Sequence, residues 1–466
     1  MGETKVTKLL FRFSLPATIG MLVNSIYNIV DRMYIGNSPD LGTLGLAGIT
    51  ISFPIMMVMM ALAVLFGIGG ATRFSIKLGE QKKEEAEKIL GNSAFLLVIS
   101  AALFMIGGQI FLKPLLKLFG ASKEVMPYAL EYMRIILFGA VFQGISMGGN
   151  NFIRADGSPK IAMISMFLGA GFNIVFDPIF IYGFGWGMTG AALATIGGQT
   201  LTAIWVLSYF LGKRSSRKLR LSNMKLDFKL AKLITATGVP AFMIHLANSA
   251  LNIVLNANLA FYGGDIAVSA MGIINSIQTF MLMPITGITQ GAQPIIGYNY
   301  GARSEQRVKE TLKWAVLSAS AIALFGYLVT RFFPGQLIAL FNRSVDLIAF
   351  GSNAIIIWFF FLPVVGFQVV SASYFQAVGR IKSAIFLTMT RQVIILIPAI
   401  IILPKLIGLN GILYAAPLAD MVSATITAIW IGMELKRKRQ ITPTLSKPVG
   451  AIFSNSTIIR QSRRPR

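Results

Sequence analysis

Asp31 and Asp177 lie inside stretches that are otherwise apolar. A carboxylate in such a setting costs ~2.5–3.5 kcal/mol on membrane-insertion scales, so it usually marks an ion or proton path. Both have polar company at helical spacing. Asn24, Tyr27, Asn28 and Asp31 fall at i, i+3, i+4 and i+7, one stripe on one helix face. Asn173 and Asp177 are four apart, as are Thr195 and Gln199, while Gln143, Ser146 and Asn150 line another stretch. Faces of this kind must meet each other or water, because hydrocarbon satisfies none of them. Amides and hydroxyls alone would serve to glue helices together. The added acids point instead to a cavity holding two carboxylates. Two chemistries are open to it. Paired carboxylates in a desolvated site can take up and release a proton. With the Asn173 carbonyl and the Thr195 hydroxyl they also offer hard oxygens suited to a small cation such as Na⁺. Either ion neutralises the stripe, and Pro16, fifteen positions before Asp31, supplies a place for that helix to bend.

The elements that must position these residues are membrane helices. Of 466 residues, 55% are hydrophobic and 13% charged, with mean hydropathy +0.69. Soluble domains carry about 45–50% apolar and about 25% charged residues. Spanning a ~30 Å hydrocarbon core takes about 20 apolar residues. Twelve runs are long enough, at 10–35, 45–72, 90–112, 128–150, 161–182, 188–211, 235–262, 268–297, 312–332, 347–374, 384–404 and 411–433. This excludes a soluble enzyme, a fibre and a single-span receptor. Absent cysteine and a single histidine exclude thiolate or multi-His metal sites and disulfides. No His-Glu-x-x-His occurs, so a membrane-embedded metalloprotease has no support and the chain is not expected to be an enzyme. The net charge of +24 does not call for nucleic acid, because the basic residues sit between the runs. With both termini and the even-numbered gaps on one side, 33 Lys/Arg fall there and 7 on the other, placing both termini in the cytoplasm.

The chain repeats itself. Residues 15–30 recur 224 positions later, Pro16 matching Pro240 and Asn24 and Asn28 matching Asn248 and Asn252. Residues 152–157 match 374–379. Six runs per half insert each half in the same orientation, so the expected fold is all-α, with twelve transmembrane helices in two six-helix lobes related by a parallel pseudo-two-fold repeat. The lobes are expected at 1–212 and 233–435, joined by a basic cytoplasmic linker at 213–232. A basic tail at 436–466 is expected to be disordered. The repeat fails at the acids: Asp31 corresponds to Leu255, and Asp177, within a residue or so, to Ala399. In the second half, His245, Asn248, Asn252 and Asn256 share a face and, with Gln278, form a candidate substrate cavity; simple packing is the competing reading for His245. Arg391 and Asp420, each mid-run, are expected to pair with one another.

The first-run Pro followed by Asn28-Ile-Val-Asp31, the Asn173-x-x-x-Asp177-Pro178 segment and Gln290-Gly-Ala-Gln-Pro-Ile-Ile-Gly-Tyr-Asn-Tyr-Gly-Ala302 resemble the MATE (multidrug and toxic compound extrusion) family. The resemblance runs over roughly residues 5–435 and is to the prokaryotic DinF/MepA-like branch. It implies a cation-coupled antiporter exporting amphipathic, often cationic, organic compounds across a prokaryotic plasma membrane, without a cofactor and as a monomer. It also implies an ion site at Asp31, Asn173, Asp177 and Thr195, with Tyr27, Asn150 and Pro16 as supporting network and bend. Asn24, Asn28 and Gln199 are assigned to the network by their spacing. An acidic site known in the second lobe of another branch has no acidic match here. The alternative is a flippase for a lipid-linked saccharide. That function would need several cavity Arg or Lys, and only Arg134 and Arg391 lie more than three residues inside a run.

Overall fold

The computed structural model describes residues 1–38, 41–341 and 344–441. Among them there is no strand. Ten helices are long and apolar enough to cross a bilayer. Two bent pairs, Met126–Phe138 with Ala140–Ala155 (56°) and Val345–Trp358 with Leu362–Ala377 (49°), raise the number of spans to twelve. The spans follow in chain order. Spans 1 to 3 are Val6–Gly36, Gly42–Gly79 and Lys83–Leu118; the first bent pair is span 4; spans 5 and 6 are Pro159–Gly183 and Gly187–Leu211. Spans 7 to 9 are Phe228–Gly264, Ile266–Gly301 and Glu305–Phe332; the second bent pair is span 10; spans 11 and 12 are Ile381–Ile407 and Leu409–Glu434. Many helices outrun the apolar runs that announced them, because the flanking Lys and Glu are good helix formers that keep their charges in water. Span 7 starts inside the expected linker, at Phe228, where the Asp227 carboxylate accepts from the backbone N–H groups of Lys229 (2.8 Å) and Leu230 (3.1 Å). The last helix continues to Ile441, so residues 436–441 of the expected disordered tail are helical, while 442–466 lie outside the described residues.

The repeat expected from sequence appears in the irregularities as well as the helices. The bent spans are the fourth of each half. The left-handed non-glycine residues Gln81 (φ 61°) and Arg303 (φ 56°) both follow the second span of their half. Spans 7 and 8 are split by Gly264, whose φ of 62° closes one helix and opens the next.

Four buried clusters show where the halves meet. One contains only residues of the first half, around Tyr132 and Leu137, and one only residues of the second, around Trp358 and Ile400. The other two are mixed. Leu9, Leu10 and Phe13 of span 1 pack into a second-half cluster, and Ile234 of span 7 into a first-half cluster. These exchanges lie at the linker end of the bundle. There spans 2 and 8 cross so closely that a Cβ on Gly79 would overlap the carbonyl of Tyr298, and one on Gly301 the carbonyl of Ile76. Arg73 of span 2 adds a bond from Nε to Thr237 Oγ1 of span 7 (2.8 Å). A belt of exposed apolar side chains, including Leu103, Ile110, Phe111 and Phe325, covers the outside, where only lipid can match it. The chain is a multi-pass membrane protein.

Candidate functional site

Span 1 buries Asp31 on its first-half side, at 8% exposure, while Asn24 and Asn28 of the same stripe remain exposed. Span 5 presents Asn173 and Asp177, exposed by 2% and 0%. Span 6 presents Thr195. Helical spacing put each pair on one face; packing of spans 1, 5 and 6 brings the faces together. The carboxyl groups of Asp31 and Asp177 come within hydrogen-bonding reach of each other. The Asn173 amide Nδ2 donates to Asp177 Oδ1 and to Thr195 Oγ1, each at 3.4 Å. No cationic side chain forms an ion pair with either aspartate among the described residues. Asp31 Oδ1, Asp177 Oδ2 and Asn173 Oδ1 are buried without a partner. Three orphaned oxygens in one buried cluster are costly unless something cationic or protic reaches them.

The remaining sequence-selected residues divide. Tyr27 lies close to both aspartates. Asn28 turns back along its helix, its Nδ2 donating to the Asn24 carbonyl (2.7 Å). Gln199 sits at the bend of span 4, its Oε1 buried and unpartnered, 2.9 Å from where a Cβ on Gly139 would stand. Asn150 is not beside the carboxylates. It lies toward the linker end, donating to Ser165 Oγ (2.5 Å) and the Ala162 carbonyl (2.8 Å) and accepting from Arg154 (2.5 Å). Periodicity set the face of Asn150 but not its depth. Pro16 is buried within an uninterrupted helix. On either side of it, Ser14 and Thr18 press on Gly291 and Gly287 of span 8, where added Cβ atoms would come within 2.7 and 2.8 Å of their backbone nitrogens.

Sequence reasoning missed Tyr132. It is buried in span 4, with its hydroxyl in reach of Thr195 and near Tyr27 and Asp31. A lone tyrosine in an apolar run carries no periodic signal; only the fold brings it to the carboxyl cluster. Glu131, its neighbour, is instead exposed and caps span 6 by accepting from Thr189 N (2.9 Å) and Oγ1 (2.7 Å).

In the second half Arg391 Nε and Asp420 Oδ1 pair at 2.5 Å, on a π-helical turn at Thr390–Leu396 of span 11. Beside them Gln392 Nε2 donates to Asn248 Oδ1 (2.6 Å). Asn252 and Asn256 are exposed, His245 half-buried, and Gln278 accepts from Trp358 Nε1 (3.1 Å). The exposed asparagines of spans 1 and 7 lie inside membrane-spanning helices, where lipid cannot satisfy them.

A "Multidrug export protein MepA" from Staphylococcus haemolyticus (strain JCSC1435) is 26% identical over 436 residues, covering 94% of this chain and 95% of that protein. Among solved structures, one described as the MATE multidrug transporter DinF-BH superposes with a TM-score of 0.86 at 36% identity, covering 92% of this chain and 97% of its own. Another, described as the outward-facing conformation of a multidrug resistance MATE family transporter of the MOP superfamily, gives 0.87 at 27% identity, covering 94% and 97%. The MatE family model matches twice, over residues 16–179 and 240–401, in register with the internal repeat. With both halves of the bundle matched, the chain belongs to the MatE family.

Proposed function

We propose that this protein is a cation-coupled antiporter that exports amphipathic, often cationic, organic compounds, with H⁺ or Na⁺ bound at Asp31, Asp177, Asn173 and Thr195 as the coupling ion. The observation that carries this reading is the pair of neighbouring carboxyls, buried between spans 1 and 5 with orphaned oxygens and no ion-pair partner among the described residues. Two carboxylates so placed repel unless a proton or metal cation lies between them. Loading the ion would therefore change how span 1 packs on span 5. A bend at Pro16 would pass that change to the contact of Ser14 and Thr18 with span 8, and so to the other half. The lobes are proposed at 1–212 and 233–435. The excess of Lys/Arg at the linker end supports a cytoplasmic location for that end and for both termini. The crossing of spans 2 and 8 would then seal the cytoplasmic side, and the exposed asparagines of spans 1 and 7 would line a substrate path open outward. The multidrug export named for the staphylococcal relative, and the multidrug transport named for the 36%-identical structure, support drug-like substrates for this chain. A lipid-linked saccharide flippase is not favoured: Arg134 is exposed and Arg391 is held by Asp420.

The test is efflux of a fluorescent cationic dye from proteoliposomes under a pH gradient or a Na⁺ gradient, each imposed alone. One gradient should drive efflux, and the Asp31→Asn/Asp177→Asn protein should lose it. Efflux under neither gradient, with folded parent protein, would remove the substrate class.

A further inference from the structure

A second recess lies at the linker end, remote from the aspartates. It is a cleft of about 260 Å³ whose walls include Arg12, Gln81, Asp156, Ser216, Arg217 and Tyr298. We propose that this cleft binds a phosphate group, carried by a phospholipid headgroup or by a free phosphate ester, and that the bound phosphate favours the state closed on the cytoplasmic side.

Charge is the first argument. Two guanidiniums face one carboxylate, and that carboxylate is already occupied. Asp156 Oδ2 accepts from the Tyr209 hydroxyl (2.6 Å), Ser215 Oγ (2.9 Å) and Ser216 N (2.9 Å), and its Oδ1 from Ser216 Oγ. These bonds pin the linker and hold Arg217 at the cleft without neutralising it. Neither Arg12 nor Arg217 has an ion pair among the described residues, and Arg217 Nε is buried with no partner. A guanidinium offers a planar fork of donors matched to two oxygens of a phosphate.

Further donors ring the space. Gln81 holds a left-handed backbone (φ 61°), and its Nε2 donates to the Tyr298 hydroxyl (3.5 Å), leaving that hydroxyl's proton free to donate into the cleft. Two guanidiniums, an amide and hydroxyls around one recess suit an acceptor with several oxygens, which a phosphate has. The coupling follows from where the walls come from. Gln81 belongs to the first half and Tyr298 to the second, two and three residues from the glycines of the span 2–span 8 crossing. Parting that crossing would dismantle the cleft, and a ligand that binds one state draws the equilibrium toward it. Binding itself does not depend on the export reading.

The experiment titrates inorganic phosphate, against chloride at equal ionic strength, into full-length protein in a maltoside detergent, which carries no phosphate, read by calorimetry. The closed state is followed by spin-label distance between cysteines placed at the exposed Glu84 and Glu310, in a chain with no other cysteine. Saturable binding that shortens this distance is expected. Arg12→Gln/Arg217→Gln should weaken binding about tenfold or more while leaving dye binding unchanged. Adding phosphatidylglycerol to the micelles identifies the source. Competition with phosphate supports the headgroup, and an unchanged phosphate affinity supports the free ester. If the double variant misfolds, Arg217→Gln alone carries the test. No saturable phosphate binding to folded protein, or binding indifferent to these substitutions, overturns the proposal.

Discussion

Replacing Asp177 by Asn tests the coupling at its source. At an effective dielectric of about 20, two carboxylates about 4 Å apart repel by about 4 kcal/mol. Arg32 beside Asp31 offsets part of that, but no cationic side chain forms an ion pair with either aspartate among the described residues. A cation entering between the two charges relieves the repulsion, so up to about three powers of ten of its affinity come from the pair rather than from either acid alone. The same energy is enough to carry a two-state equilibrium from about 1:30 to about 30:1, which is what alternating access requires of a coupling ion. Asp177→Asn keeps the volume and removes one charge. The variant should insert and bind dye, yet its gradient-driven efflux should fall to the level of empty liposomes. Initial rates of dye efflux, paired with dye binding in detergent as the control for folding, measure both. Coupled efflux at the parental rate would refute the reasoning, because one carboxylate would then be doing alone what is ascribed here to two.

The Gly79–Gly301 crossing has no room for side chains, so Gly301→Leu should part the linker ends of spans 2 and 8. Spin labels there should report a longer distance than in the parent protein. Tyr132→Phe removes only the hydroxyl that reaches Thr195; a hydrogen bond nets about 0.5–1.5 kcal/mol, so the cation concentration giving half-maximal efflux should rise by up to about tenfold. The Arg391–Asp420 pair is nearly dry, with side chains 14% and 4% exposed. Breaking such a pair from one side costs about 3–5 kcal/mol, whereas replacing both partners by apolar residues can be neutral. Arg391→Met should therefore lower the melting temperature in detergent, and Arg391→Met/Asp420→Leu should restore most of it.

Hydropathy and charge asymmetry were enough to show twelve spans, and residue identity at an offset of 222–224 was enough to show that two similar halves insert in parallel. These are local or periodic properties, legible in a linear chain because a bilayer tests each segment almost independently. Asp31, Asp177, Asn173 and Thr195 were legible for the same reason, since polar atoms in apolar runs must find partners. What the sequence could not decide was who those partners are. A helical period gives the face of a residue, not the neighbour across it or its depth along the bundle. Asn150 thus met Arg154 and Ser165 rather than the aspartates, while Tyr132, with no pattern around it, joined them. The exchange of spans 1 and 7 between the buried clusters, the glycine crossing at the linker end and the cleft beside Arg217 arise only when residues far apart in the chain pack together. They belong to the tertiary structure.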